Sequence, residues 1–134
     1  MTNFHVLAVL AVLVAALSSF MLGGLWYSDA LFGKAWKREA GDHRVPGQGH
    51  PAKVFGLSFV FALVAAFAYA WLVPAPGSAA VALAQGLVVG SGIVAASFGI
   101  NYQFAGYSAK LWLIDGGYHT VQFVLYGLII GLWR

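Results

Sequence analysis

From Val54 to Ala109 the chain carries no Asp, Glu, Lys or Arg. One membrane crossing takes about 20 apolar residues, so this run is too long for a single crossing and too apolar for a water-covered domain. The segment PAPGS, Pro74 to Ser78, breaks it. Proline lacks the backbone donor a helix interior needs, and glycine next to it opens a turn. The run therefore reads as two helices, Val54 to Val73 and Ala79 to about Phe104, in a tight hairpin. Composition agrees: 8% of residues are charged and 61% hydrophobic, where ordinary globular proteins are about 25% charged.

Two further crossings complete the pattern. Met1 to Ser28 holds no charged side chain, and Phe4 to Tyr27 makes about 36 Å of helix against a hydrocarbon core of about 30 Å. The leading MTNFH has no Lys or Arg to form the n-region of a signal peptide, so an uncleaved transmembrane helix is expected. The last crossing, about Gly116 to Trp133, is short and should begin inside the headgroup zone. Lipid offers backbone groups no partner, so spans of this length are helices. The expected fold is all-α: one domain over residues 1–134, a bundle of four transmembrane helices.

Asp29 to Lys53 is the hydrophilic connection, with Lys34, Lys37, Arg38, Arg44 and Lys53 set against Asp29, Glu39 and Asp42. Its centre, GDHRVPGQGHP, should be an irregular loop. Trp26, Tyr27, Phe32 and Trp36 suit a headgroup-level aromatic belt. His43 and His50 are seven apart with no carboxylate motif and read as solvated residues. The third connection carries Lys110 and the second carries no base. The positive-inside rule then puts connections one and three in the cytoplasm and both termini outside, with Arg134 dissenting. The expected site is the cytoplasmic (inner) membrane of a bacterium.

Small residues recur every four positions: Ala11, Ala15, Ser19 and Gly23 in the first helix, Ala62, Ala66 and Ala70 in the second. Ala82, Gly86 and Gly90 follow in the third, Gly127 and Gly131 in the fourth. Such ladders let backbones approach where lipid removes the hydrophobic incentive to associate.

Polar groups at membrane depth are costly and are candidates for function. The threading gathers Trp26, Tyr27, Asn101, Asp115, Tyr118, His119 and Gln122 towards the cytoplasmic side. Asp115, His119 and Gln122 share one helical face by their spacing. In one reading they handle a proton or cation, with His119 titrating near neutrality beside Asp115. In the other, Asp115 caps its helix, His119 donates to a neighbouring carbonyl and Asn101 joins helices. No HExxH, GxSxG or phosphate-cradling glycine loop occurs, and no cysteine is present. No enzyme, metal or cofactor is expected, and nucleic acid is a poor partner for charges that topology already requires.

GGLWYSDALFGKAW (Gly23 to Trp36), NYQF (Asn101 to Phe104), KLWLIDGGYH (Lys110 to His119) and the closing GLIIGLW together resemble the membrane family filed as domain of unknown function 1761. The resemblance covers nearly the whole chain in order, least in the hydrophilic connection. It implies a small four-helix membrane protein and brings no activity. Asp29 stands where the family tends to have proline, and Asp115 where Asn is usual, so a mechanism built on that carboxylate would not be the family's. The expected role is non-enzymatic packing or binding, as a homo-oligomer or an accessory subunit of a larger membrane complex. The alternative is a small-solute or ion transporter or channel built on the polar cluster.

Overall fold

The computed structural model describes residues 2–41 and 49–134, and of Thr2 to His5 the backbone alone. His43, the His5 side chain and the centre of the hydrophilic connection lie outside the described residues. Helices are α1 (Thr2–Trp26), α2 (Gly33–Ala40), α3 (Pro51–Leu72), α4 (Ala79–Leu87), α5 (Ala96–Ala105) and α6 (Ala109–Trp133). A π-helical stretch, Val88–Ala95, joins α4 to α5, so Ala79–Ala105 runs as one long helix. No strand occurs among the described residues.

Three helices are long and apolar enough to cross a membrane: Val6–Trp26, Pro51–Leu72 and Ala79–Ala105. The expected fourth span lies within α6, which is as long as α1 at 25 residues but carries Lys110, Asp115, His119 and Gln122. That polarity fits its place. It is the helix the others pack around, with Ile114, Phe123, Tyr126 and Ile130 buried. The outer surface is hydrocarbon: Phe104 is 91% exposed and Trp71 83%. Lipid tails suit such a surface and water does not.

The ends of the helices follow local rules. Ser78 caps α4 by accepting from the Val81 amide at 3.2 Å, and Gly77 takes the positive φ of 75° that the turn requires and other residues resist. Ser108 caps α6 by accepting from the Leu111 amide. The expected cap, Asp115, sits about two turns further in; Ser108 holds the true N-cap because Gly106, also at φ 75°, ends α5 so early. α6 thus begins at Ala109, well before Gly116. Arg134, the dissenting charge, donates to the Ala70 carbonyl at 2.8 Å and to the Val73 carbonyl. Those are the orphan acceptors at the C-terminal end of α3, where a cation suits the helix dipole.

The glycine ladders do different work in different helices. A β-carbon on Gly90 would lie 2.7 Å from Cα of Thr120, and one on Gly86 2.7 Å from Cα of Val124. On Gly127 it would lie 2.5 Å from the Ala82 carbonyl oxygen, and on Gly131 2.9 Å from the Pro76 ring. At Gly86, Gly90 and Gly127 α6 touches the Ala79–Ala105 helix backbone to backbone, and at Gly131 it meets the turn before that helix. Gly23 differs, since a β-carbon there would meet the Tyr118 ring at an ordinary 3.5 Å. Ser91 in the π stretch bonds back to the Leu87 carbonyl at 2.6 Å, a contact that bends helices.

α2 is the element the sequence did not announce; its residues read as connection. Trp36 turns inward and Lys34, Lys37 and Arg38 are exposed. Gly33 lies so close beneath the Tyr27 and Ser28 carbonyls that no β-carbon fits. The Glu39 carboxylate accepts from the Ser108 hydroxyl at 2.7 Å, which ties α2 to the start of α6.

Candidate functional site

Two polar assemblies grow from α6, four residues apart. The first centres on Asp115. Its Oδ1 accepts from the Tyr27 hydroxyl at 2.6 Å and from the Trp36 indole at 3.1 Å, and its Oδ2 accepts from the Tyr102 hydroxyl at 2.5 Å. The end of α1, the middle of α2 and the end of α5 thus meet on one carboxylate. Next to it, the Trp26 indole donates to the Ile114 carbonyl at 2.9 Å. A partly buried carboxyl group needs such partners, because a polar group left unpaired at this depth is costly. Tyr27 lies just past the Val6–Trp26 span; burial first, then its bond to Asp115, raises its phenol above the ordinary value and keeps it a donor. No cation partners Asp115 among the described residues. All three ligands are neutral donors.

The second assembly runs from His119. Its Nδ1 lies 2.6 Å from Oε1 of Gln122, and Gln122 Nε2 lies 2.8 Å from the Tyr126 hydroxyl. Tyr126 is within reach of Ser19 Oγ at 3.2 Å and the Ala62 carbonyl at 3.3 Å, and Ser19 Oγ donates to the Ala16 carbonyl at 2.7 Å. Ser19 and Tyr126 are fully buried and Gln122 nearly so. Tyr118 donates to the Ser19 carbonyl at 3.0 Å, and the rings of Phe98 and Tyr118 lie 4.9 Å from the imidazole.

Between these helices lies a partly open cleft of about 780 Å³. Near Tyr126, α3 packs on α6 through Tyr69 and Phe123, whose ring centroids are 6.0 Å apart. Towards its N-terminal end α3 gives the cleft a wall of Phe55, Ser58 and Phe61, and Val94 lines it from the π stretch. Ser19, Tyr118, His119 and Gln122 form its polar floor. Tyr27 links the first assembly to the cleft: it donates to Asp115 and also lines the cleft.

Of the residues expected at a site, Trp26, Tyr27 and Asp115 therefore meet in the first assembly, and Tyr118, His119 and Gln122 in the second. Asn101 joins neither: it is exposed and makes no hydrogen bond among the described residues, and its neighbour Tyr102 reaches Asp115 instead. Trp36, Tyr102, Ser19 and Tyr126 are site residues that the sequence reading misses. Tyr126 has a signal, since it lies four residues after Gln122 on the same helical face. No group of three His, Cys, Asp or Glu residues among those described stands ready to hold a metal.

The fold and these assemblies define an all-helical protein whose apolar helices suit a membrane. A family model described as "Protein of unknown function (DUF1761)" matches residues 10–131, and the chain belongs to that family. No curated protein and no solved structure matches it.

Proposed function

We propose that this is a non-enzymatic membrane protein that crosses the bilayer four times and binds an amphiphile in the α1–α3–α6 cleft. The observation that carries the reading is the cleft itself. Its volume of about 780 Å³ falls in the range of ligand pockets, which are apolar with a few placed polar groups. The basic connection lies at the same end, because Tyr27 and Val54, which bound that connection in sequence, line the cleft. With that connection cytoplasmic, the cleft belongs to the inner half of the membrane. The exposed aromatic face of α3, with Phe67 and Trp71, would meet lipid, a second copy or another membrane subunit.

Transport is the weaker reading. The hydrogen-bond chain from His119 ends on the carbonyls of Ala16 and Ala62, a dead end rather than a path through the bundle.

The test uses Gly24, which lines the cleft and where a β-carbon would meet nothing within 4 Å. Gly24→Phe adds a ring at the cleft wall from a position where the β-carbon itself meets no backbone. Protein purified in nanodiscs should retain a small amphiphile at fixed stoichiometry by native mass spectrometry, and Gly24→Phe should lose it with unchanged melting. Equal retention in the variant, or none in the wild type, overturns the reading. A stoichiometric protein partner in place of the amphiphile would favour the accessory-subunit role.

A further inference from the structure

The direction of the hydrogen bonds around His119 decides which kind of head group the cleft prefers, if the cleft is a binding site as proposed above. The Ala16 carbonyl can only accept, so the Ser19 hydroxyl spends its proton there. Both remaining neighbours of Tyr126 on that side, Ser19 Oγ and the Ala62 carbonyl, then act as acceptors, and the Tyr126 proton goes to one of them. The orientation that leaves no group of the chain unpaired has Tyr126 accepting from Gln122, with the amide nitrogen as the atom facing it. The Gln122 oxygen consequently faces His119, and an oxygen of that kind can only accept. The proton of the neutral imidazole must sit on Nδ1.

Nε2 is then a bare lone pair, an acceptor. It has no hydrogen-bond partner among the described residues, and it is not among the buried atoms left without one, so it remains reachable. His119 lines the cleft. A ligand group meeting that atom has to donate. A charged donor fits poorly, because no Asp, Glu, Lys or Arg lines the cleft and an unpaired ion at membrane depth is costly. Ser58, which also lines the cleft and makes no hydrogen bond among the described residues, can donate to the oxygen of a hydroxyl. The walls of Phe20, Phe55, Phe61 and Phe123 leave room for hydrocarbon.

We propose that the cleft takes a single-chain amphiphile with a neutral hydroxyl head, held through its O–H by Nε2 of His119. The imidazole acts as a fixed acceptor, oriented through Gln122, Tyr126 and Ser19, and no proton is transferred.

Four probes of one chain length separate the possibilities: 1-tetradecanol, methyl myristate, myristate and tetradecylammonium, each competed against radiolabelled 1-tetradecanol on the protein in nanodiscs. Tetradecanol should bind saturably at one site per chain, with the other three at least about ten-fold weaker, the worth of one hydrogen bond to a buried group. His119→Phe should erase the preference of alcohol over ester. Independently of any variant, ¹⁵N spectra of histidine-labelled protein should show His119 protonated at Nδ1 and bare at Nε2. An ester or carboxylate that binds as tightly as the alcohol, or an Nε2-protonated ring, overturns the hydroxyl assignment and leaves the cleft as a binding site. Tighter binding of the ammonium overturns it in favour of a cationic head. If Gly24→Phe also leaves retention unchanged and no probe binds saturably, the binding-site reading fails and this inference with it.

Discussion

Asp115 and His119 stand four residues apart on one helix, and their surroundings could hardly differ more. Asp115 is engaged at both oxygens: three neutral donors, from the end of α1, from α2 and from α5, close on them. His119 is held on one side by Gln122 and left open on the other, over the cleft. A group whose two oxygens are both held by donors of its own protein fixes structure. One with a valence left over, held rigidly from behind, is suited to recognise something else. The difference separates two roles that residue spacing alone assigns to a single cluster.

The comparison can be broken most directly at Asp115. Asp115→Leu leaves the hydroxyls of Tyr27 and Tyr102 and the Trp36 indole without an acceptor, at about 1–3 kcal/mol for each donor that stays buried. Melting in detergent should fall further than for the Gly90, Tyr126 or Tyr69 variants below. Asp115→Asn should recover most of that loss, since an amide can accept from two donors and donate to the third. If both variants melt like the wild type, the carboxylate is not the joint between the helices.

Gly90→Leu comes next. It forces a side chain against Cα of Thr120, in the turn that follows His119, and overpacking typically costs about 1–3 kcal/mol. Thermal stability should fall, and because the backbone of His119 and Thr120 shifts, retention of the cleft's ligand should fall with it. A stable Gly90→Leu protein that still binds would uncouple packing from the cleft.

Tyr126→Phe sharpens the contrast from the other side. It removes the acceptor that fixes the Gln122 amide, leaving one buried donor unpaired at about 1–2 kcal/mol. Stability should drop modestly, and the single His119 tautomer seen by ¹⁵N spectra should become a mixture. A tautomer that does not change would show that Tyr126 does not set it.

The smallest effect is expected at Tyr69, whose buried hydroxyl has no hydrogen-bond partner among the described residues while the Tyr126 hydroxyl has three within reach. Tyr69→Phe should be neutral or stabilising by up to about 1 kcal/mol. A clear loss in the melting curve would mean that its hydroxyl has a partner.

Much of this protein is legible in the sequence because membranes read composition. Apolar length, the PAPGS break and the small-residue ladders are local properties, and the positions of α1, α3 and the Ala79–Ala105 helix follow from them. Short amphipathic elements are harder. GKAWKREA reads as loop but folds as α2, although Trp36 and Ala40 are one helical turn apart and mark the buried face. The start of α6 is obscured for a similar reason: Lys110 and Asp115 look like connection until Tyr27, Trp36 and Tyr102 surround the acid.

Which segments are helical and apolar can thus be read residue by residue, since each side chain's preference for lipid or water belongs to that side chain. Which polar groups meet is settled by the folded chain and by nothing less. Tyr27 and Asp115 are 88 positions apart, and Ser19 and Tyr126 107. Whether a hydrogen-bonding valence is filled or left open depends on atoms brought together across such distances, and no periodicity in the chain encodes that.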